Sequence, residues 1–331
     1  MGHIRKRKNI PTRRNRCNLE KSNFDIFFSL YDYQNNYFMS KDPNEIIRFY
    51  DSFKSKDNLI QWMRNRPNGA VYLHEVEGNK QIIAIVATSD YSGKFAQHCM
   101  DNIYKGLHII FVESGDKPDD YFKISHNLNI GIRKALEYSP KWIIVSGDDM
   151  YKIDEPTILI EKLAYLDNNL YNVVFTEPSE YHSAHEKIAK RRKIFNIYYS
   201  LTNSHQGRAT LRLFKKFDVN FTMSPTDGLY SKLFDKGYQY VELQDFAILS
   251  ARWLKNKGEE FFDETFINAG EDTDLSLDLS LFPEKIAIIS YRIGDMVGST
   301  LGVGADRDMR HIAGLTYLNN KWKEFLNEKA S

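Results

Sequence analysis

The stretch Lys141 to Met150 reads Lys-Trp-Ile-Ile-Val-Ser-Gly-Asp-Asp-Met. Its apolar run, Trp142 to Val145, has the length of a buried strand and ends in Ser-Gly and two adjacent carboxylates. A buried strand that delivers paired Asp side chains to its C-terminal end offers oxygen ligands to a hard cation. Mg²⁺ and Mn²⁺ take such ligands and share them with substrate phosphates. In open α/β sheets, ligands bind at the carboxyl ends of the strands. The plainer reading is that Asp148 and Asp149 start a turn and cap the helix that follows.

The surrounding chain alternates. Gln81 to Ala87 is Ile/Val-rich and reads as a buried strand ending at Thr88-Ser89-Asp90. Ser92 is placed to cap a helix over 93–104. Leu107 to Val112 is a second strand, ending at Glu113-Ser114-Gly115-Asp116. Tyr121 to Tyr138 reads as a helix whose texture is interrupted by Asn127, Asn129 and Gly131. The Lys141–Ser146 strand comes next, then a helix over 157–166 with Pro156 at its start, then a strand over Asn172 to Phe175. Strand and helix in this rhythm imply βαβ units and a mostly parallel, Rossmann-like sheet flanked by helices.

Ahead of this core, 24–66 reads as mostly helical, and Val71 to Val76 reads as a strand. Gly78-Asn79 is a hairpin signal that would join it to the strand at 81–87. Beyond the core, Phe217 onward looks strand-like before the loop at Pro225-Thr226-Asp227-Gly228. Ser250 caps a helix that reaches Lys257 and stops at Gly258. Asp272 or Thr273 opens a helix carrying Leu275, Leu277 and Leu279. Lys285 to Tyr291 is a further strand, 294–310 is Gly-rich and irregular, and 313–328 closes the chain as a helix. The domain reading is a basic arm over 1–23, a helical extension with a hairpin strand over 24–79, and one α/β domain over 80–331, divided at about residue 180.

Charge is uneven although the net charge of the 331 residues is only +1. Seven basic residues from Arg5 to Arg16 precede the first acid, Glu20. Such an arm offers charge to nucleic acid or anionic lipid, and a solvated tail is its commoner fate. Residues 187–217 contain no Asp or Glu but carry Lys187, Lys190, Arg191, Arg192, Lys193, Arg208, Arg212, Lys215 and Lys216, interleaved with aromatics. A solvated helix face is one account of them; a surface for phosphate, lipid head groups or an anionic acceptor is the other. Two cysteines, Cys17 and Cys99, supply neither a disulfide framework nor a zinc spacing, which fits a reducing compartment. No apolar run approaches the roughly 20 residues of a membrane span, and the basic N-terminus lacks the apolar segment of a secretory signal. The expected location is cytoplasmic, with peripheral contact to an anionic membrane as an option.

The ordered set of motifs resembles the family 2 glycosyltransferases of the GT-A fold, enzymes that use nucleotide-diphospho-sugars. The resemblance spans about residues 80–325, and it implies that 80–331 is a glycosyltransferase domain with a donor half at about 80–180 and an acceptor half at about 181–331. It rests on the strand ends at Asp90 and Glu113, the Asn129-x-Gly131 helix, Gly147-Asp148-Asp149, Phe262-Asp263-Glu264, and Glu271-Asp272-x-Asp274-Leu275. It implies that Asp90 and Glu113 contact base and ribose of the donor, and that Asn129 and Gly131 belong to the donor side. It implies a DxD-type Mn²⁺ or Mg²⁺ site at Asp148 and Asp149, with Asp149 the safer ligand because Gly147 stands where many relatives have the first Asp. Asp272 matches the general base, with Glu271, Asp274 and Arg192 on the acceptor side. Relatives often carry a late His ligand; here Asp295 stands in the corresponding stretch. Partners implied are a nucleotide-sugar donor and a glycan, lipid-linked or protein acceptor. Helix capping is the alternative account of the acids at 271–274.

Three other classes are weighed. A nucleotidyltransferase would want a Gly-rich phosphate loop with Arg after its first strand, unlike Thr88-Ser89-Asp90-Tyr91-Ser92. A nicotinamide dehydrogenase would need G-x-G-x-x-G after a strand, and Gly302-Val303-Gly304 is misplaced for it. A non-catalytic sugar-binding protein on the same fold would have no need of both Asp149 and Asp272.

Overall fold

The computed structural model describes residues 40, 42–115, 123–176, 205–219, 243, 246–258, 260–267, 269–280, 285–295 and 305–327. In chain order the helices are α1 (Pro43–Ser52), α2 (Lys56–Asn65), α3 (Lys94–His98), α4 (Ile124–Leu136), α5 (Pro156–Tyr165), α6 (His205–Lys216), α7 (Ala251–Lys257), α8 (Glu271–Ser280) and α9 (Ala305–Asn327). The strands are β1 (Val71–Val76), β2 (Asn79–Thr88), β3 (Leu107–Ser114), β4 (Trp142–Gly147), β5 (Met150–Lys152), β6 (Val173–Thr176), β7 (Phe246–Ser250), β8 (Ile286–Ile289) and β9 (Ile293–Asp295).

Seven strands form one sheet in the order β1-β3-β2-β4-β7-β6-β8, and β5 pairs with β9 in a small second sheet. β3, β4, β6 and β8 run with β2, whereas β1 and β7 run against it. The result is an α/β fold on a mixed, mostly parallel sheet flanked by helices. The central strands are apolar on both faces because helices cover both. Ile83, Ile85, Val112, Ile143 and Val145 pack with Leu128, Ile132 and Ala135 of α4 and with Leu275 and Leu279 of α8. Their neighbours Ile82, Ala84, Val86, Phe111, Trp142 and Ile144 point the other way, as strand alternation requires. They meet Ala96, Cys99, Ile103 and Tyr104, and Leu159 and Leu163 of α5. Gly131 lets α4 lie directly on β2 and β3: a Cβ there would sit 2.5 Å from Ile85 Cγ2 and 2.7 Å from Val112 Cγ2.

A third core is helical. Asp42 caps α1 through its side chain, Pro43 occupies the first turn, and Ser55 caps α2. The buried faces of these two helices, including Ile46, Phe49, Tyr50, Leu59 and Met63, pack with Leu213 of α6 and with Met309, Ile312 and Leu318 of α9. The N-terminal helices are therefore built into the fold through its C-terminal helix.

Several expectations change. Val71–Val76 does not form a hairpin with the next strand. β1 pairs antiparallel with β3, which lies between β1 and β2. Gly78 serves a close crossing rather than a two-residue turn: a Cβ there would lie 2.1 Å from Leu107 O, and the Asn79 amide bonds Gly106 O at 2.9 Å. α3 is capped by Gly93, not Ser92, and gives way to a π-helical turn, Cys99–Ile103. The Ser92 amide instead donates to Asp90 Oδ1 at 2.9 Å. Phe217 to Val219 is the exit of α6, with Asp218 at φ +56°, and the rest of the stretch expected to be strand-like, from 220 on, lies outside the described residues. β7 lies in a stretch, Phe246–Ser250, to which the sequence pattern assigns no strand. Within 294–310, β9 and the start of α9 are regular. The arm at 1–23, the loop at 225–228 and Arg192 lie outside the described residues.

Candidate functional site

The C-terminal ends of β2, β3 and β4 lie side by side at one sheet edge, in register at Thr88–Glu113 and Ala87–Gly147. Asp90, Asp148 and Asp149 follow these ends, and Glu113 is the last residue but one of β3. Asp148 is only 7% exposed. Its Oδ2 accepts the Thr88 hydroxyl at 2.5 Å, and Thr88 Oγ1 in turn accepts the Asp90 amide at 3.2 Å. Burial raises the Asp148 carboxyl above its ordinary value, helped by the charges of Asp149 and Asp90 and opposed by the Thr88 hydrogen bond. Asp149 turns back toward the strand: a Cβ built on Gly147 would lie 2.8 Å from Asp149 Oδ1. Glycine at 147, the departure from the DxD pattern, thus leaves room for the second carboxylate.

The loop is held from beneath by the π-helical turn. Cys99 Sγ donates to Asp148 O at 3.3 Å, and the buried Tyr104 hydroxyl bonds Ser146 Oγ. Burial pushes the Cys99 thiol well up, with Asp148 and Asp149 adding to it, so this cysteine stays protonated and acts as a donor. On the far side, β5 continues from the loop and pairs with β9, placing Asp295 opposite Met150 in the ladder. The Arg292–Asp154 ion pair, with the Arg292 amide also on Asp154 Oδ2 at 2.7 Å, fixes that ladder to the start of α5.

Glu113 is gripped from two sides. Its Oε1 accepts the Tyr91 amide at 3.0 Å, and its Oε2 lies 2.7 Å from His74 Nε2 on β1. The His74 and Tyr91 rings are stacked, 3.9 Å apart with 1° between their planes. Neither His74 nor Tyr91 is marked by a sequence motif. His74 arrives through the unexpected β1–β3 pairing, whose register no local signal gives.

The other sequence-derived residues lie elsewhere. Asn129 is fully buried on α4; its Nδ2 donates to Phe262 O at 2.8 Å and to Glu264 Oε1 at 3.0 Å, and its Oδ1 accepts the Phe262 amide at 2.9 Å. It clamps the Phe262–Glu264 turn to the helix. Gly131, two residues on and on the opposite side of the helix, is packed into the sheet as described above. Burial would raise Glu264, but the hydrogen bonds from His126 and Asn129 and the charges of His126 and Arg133 hold it at about 2.

Asp274 is 6% exposed and faces α9, accepting Lys321 Nζ and Trp322 Nε1, each at 2.8 Å. Lys321 also bonds Asp263 Oδ2 at 2.8 Å, so one ammonium joins the Phe-Asp-Glu turn, α8 and α9. Glu271 and Asp272 are half-buried in the first turn of α8, behind Gly270 at φ +93°. Asp272, the second residue of α8, accepts the Thr273 amide on Oδ1 at 2.6 Å, a bond within the first turn and not an N-cap. Of the basic stretch, Arg212 pairs with Asp51, and Lys216 Nζ bonds Asp51 O at 2.8 Å, so these two cations face the end of α1. Lys187, Lys190, Arg191 and Lys193 lie with Arg192 outside the described residues.

Among the described residues, no group of three or more His, Cys, Asp and Glu side chains is arranged to hold a metal, and no helix is long and apolar enough to cross a membrane. Compared with known proteins, the chain matches no protein-family model and no curated protein sequence.

Proposed function

We propose that this protein is a metal-dependent glycosyltransferase of the GT-A type. It moves a sugar from a nucleotide-diphosphate donor to an acceptor hydroxyl, with inversion. The observation that carries the reading is the gathering of Asp90, Glu113, Asp148 and Asp149 at the C-terminal ends of three adjacent parallel strands. Open α/β sheets bind ligands at that edge.

The residues fit a hard divalent cation in the manner of Mg²⁺ or Mn²⁺. Asp148 and Asp149 are adjacent at the end of β4, and Thr88 Oγ1 joins Asp148 to the Asp90 backbone, so three carboxylates gather where a cation would offset their repulsion. Asp149, with Asp148 beside it, would hold the ion. One or two carboxylates with diphosphate and water oxygens make a usual Mg²⁺ shell, so a third protein ligand is not required. Bound there, the metal would neutralise the departing diphosphate as a Lewis acid. Asp90 and Glu113 bind the nucleoside. Cys99, Tyr104 and Thr88 fix the loop that carries the ligands.

Asp272 is the general base. It takes the acceptor hydroxyl proton as that oxygen bonds the anomeric carbon, and the bond to the diphosphate oxygen breaks on the opposite face. One base and no enzyme nucleophile suffice for this displacement. Lys321, bound to Asp263 and Asp274, holds the helix start that carries the base.

The test is release of UDP or GDP from a panel of nucleotide sugars, with and without Mn²⁺, by wild type and by Asp272→Asn. Loss of a general base costs about 10²–10⁴-fold in rate, while donor binding persists. Asn keeps the shape of Asp and the side-chain oxygen that accepts the Thr273 amide. Near-normal turnover by Asp272→Asn therefore leaves Asp272 as a first-turn residue of α8 and removes the base. Retention of the anomeric configuration in the product, read by NMR, excludes single displacement.

A further inference from the structure

We propose that His74 is a positioning residue for the donor nucleoside, orienting the Glu113 carboxylate and the Tyr91 ring from the edge strand. The inference rests on the donor-site reading above, in which Glu113 contacts base or ribose.

The geometry begins with the β1–β3 ladder. Tyr72 stands opposite Glu113, and His74 lies two residues further along β1 on the same face. From there its Nε2 reaches Glu113 Oε2 at 2.7 Å, while Tyr91 N holds Oε1 at 3.0 Å. The carboxylate is thus pinned at both oxygens. Each carboxylate oxygen has two lone-pair directions. Each therefore keeps one free for a donor group of a ligand, in an orientation fixed beforehand.

The same imidazole covers one face of Tyr91, ring on ring at 3.9 Å, and Phe111 meets Tyr91 edge-on at 5.4 Å. One side chain thereby settles both a carboxylate and an aromatic plane at the mouth of the strand-end cluster. A purely structural duty explains this poorly. The β1–β3 ladder is already secured by backbone pairing over six residue pairs. The His74 and Glu113 side chains also keep 14% and 23% of their surface in contact with solvent, which a ligand contact needs and a core pair does not.

Two conservative substitutions separate the parts. His74→Phe keeps a ring against Tyr91 and removes the N–H; His74→Gln keeps an N–H donor and removes the ring. The experiment measures UDP and GDP affinity with Mn²⁺ by calorimetry, donor KM and kcat, and melting temperature, for both variants and for Glu113→Gln. The expected result is about tenfold weaker nucleotide binding for His74→Phe, the scale of one hydrogen bond to a charged group. His74→Gln falls between it and wild type, KM rises while kcat holds, and melting temperatures stay near wild type. Wild-type affinity in His74→Phe overturns the proposal, as does a loss that merely follows a fall in melting temperature. If Glu113→Gln weakens binding while the His74 variants do not, the donor reading stands and the positioning role is gone. If Glu113→Gln binds as tightly as wild type, Glu113 is not a donor contact and both ideas fall. Should His74→Phe fold poorly, His74→Ala makes the same comparison.

Discussion

Replacing Asn129 by Leu removes a clamp while nearly preserving volume. Asn129 is fully enclosed, and its amide satisfies both the N–H and the C=O of Phe262 and donates to Glu264. After the substitution, two backbone groups lose their partner; a buried unsatisfied group costs about 1–3 kcal/mol, and a hydrogen bond to a charged group is worth about 1.5–3 kcal/mol. These terms share one site and do not add in full, so the expected loss is about 3–6 kcal/mol. That is a large part of the ~5–15 kcal/mol that stabilises a typical domain. Urea unfolding followed by circular dichroism should show a lower midpoint with an unchanged slope. A loss below about 1 kcal/mol would refute the clamp. A variant of unchanged stability that no longer binds nucleotide would instead make Asn129 a donor contact.

Two further outcomes follow from the same region and from the loop. The Glu264 carboxyl is held at about 2 against an ordinary 4.5. Its lowered value contributes stability above the ordinary value and loses it as pH falls through the folded one. Acid unfolding of wild type should therefore steepen between about pH 4.5 and 2, and Glu264→Gln should flatten that part of the curve; identical curves would contradict the assignment. In Gly147→Ala the new methyl would press on Asp149 Oδ1, which lies 2.8 Å from it. The carboxylate is the end of a movable side chain, so the fold should hold while Mn²⁺-dependent nucleotide affinity drops; full affinity in calorimetry would mean that Asp149 tolerates the shift.

The positions of β2, β3, β4 and β6 are legible because each is a short apolar run ending in polar residues, and Pro156 marks the start of α5, whereas α3 and α4 begin without a side-chain cap. Trp142 to Val145 and Ile82 to Val86 are buried as that pattern requires. Pairing was less legible. Gly78-Asn79 has the composition of a hairpin turn, yet Gly78 is there because Leu107 O passes too close for a side chain. No local feature says that a strand about thirty residues later will slide between the two. β7 carries no local signal for a related reason. Ser250 ends the strand and caps α7 at once, so no turn residues separate the two elements.

At the site, the acids at the strand ends were readable as a group. Asn129, Gly131 and Asp274 carried the same polar or small-residue signal for packing reasons: a clamp, a close helix–sheet approach and an ion pair with Lys321. One sequence does not separate those causes. His74 and Cys99 gave no signal, since each matters through a partner brought in from another strand or turn.

The central claim is that Asp149 holds a metal that binds a nucleotide diphosphate. The most direct measurement is isothermal calorimetry of UDP and GDP, with Mn²⁺ and with chelator, on wild type and on folded Asp149→Ala. Wild type should bind one of the two nucleotides only when Mn²⁺ is present, and Asp149→Ala should show no Mn²⁺-dependent binding. Equal affinity in the variant, or metal-independent binding by wild type, would contradict it.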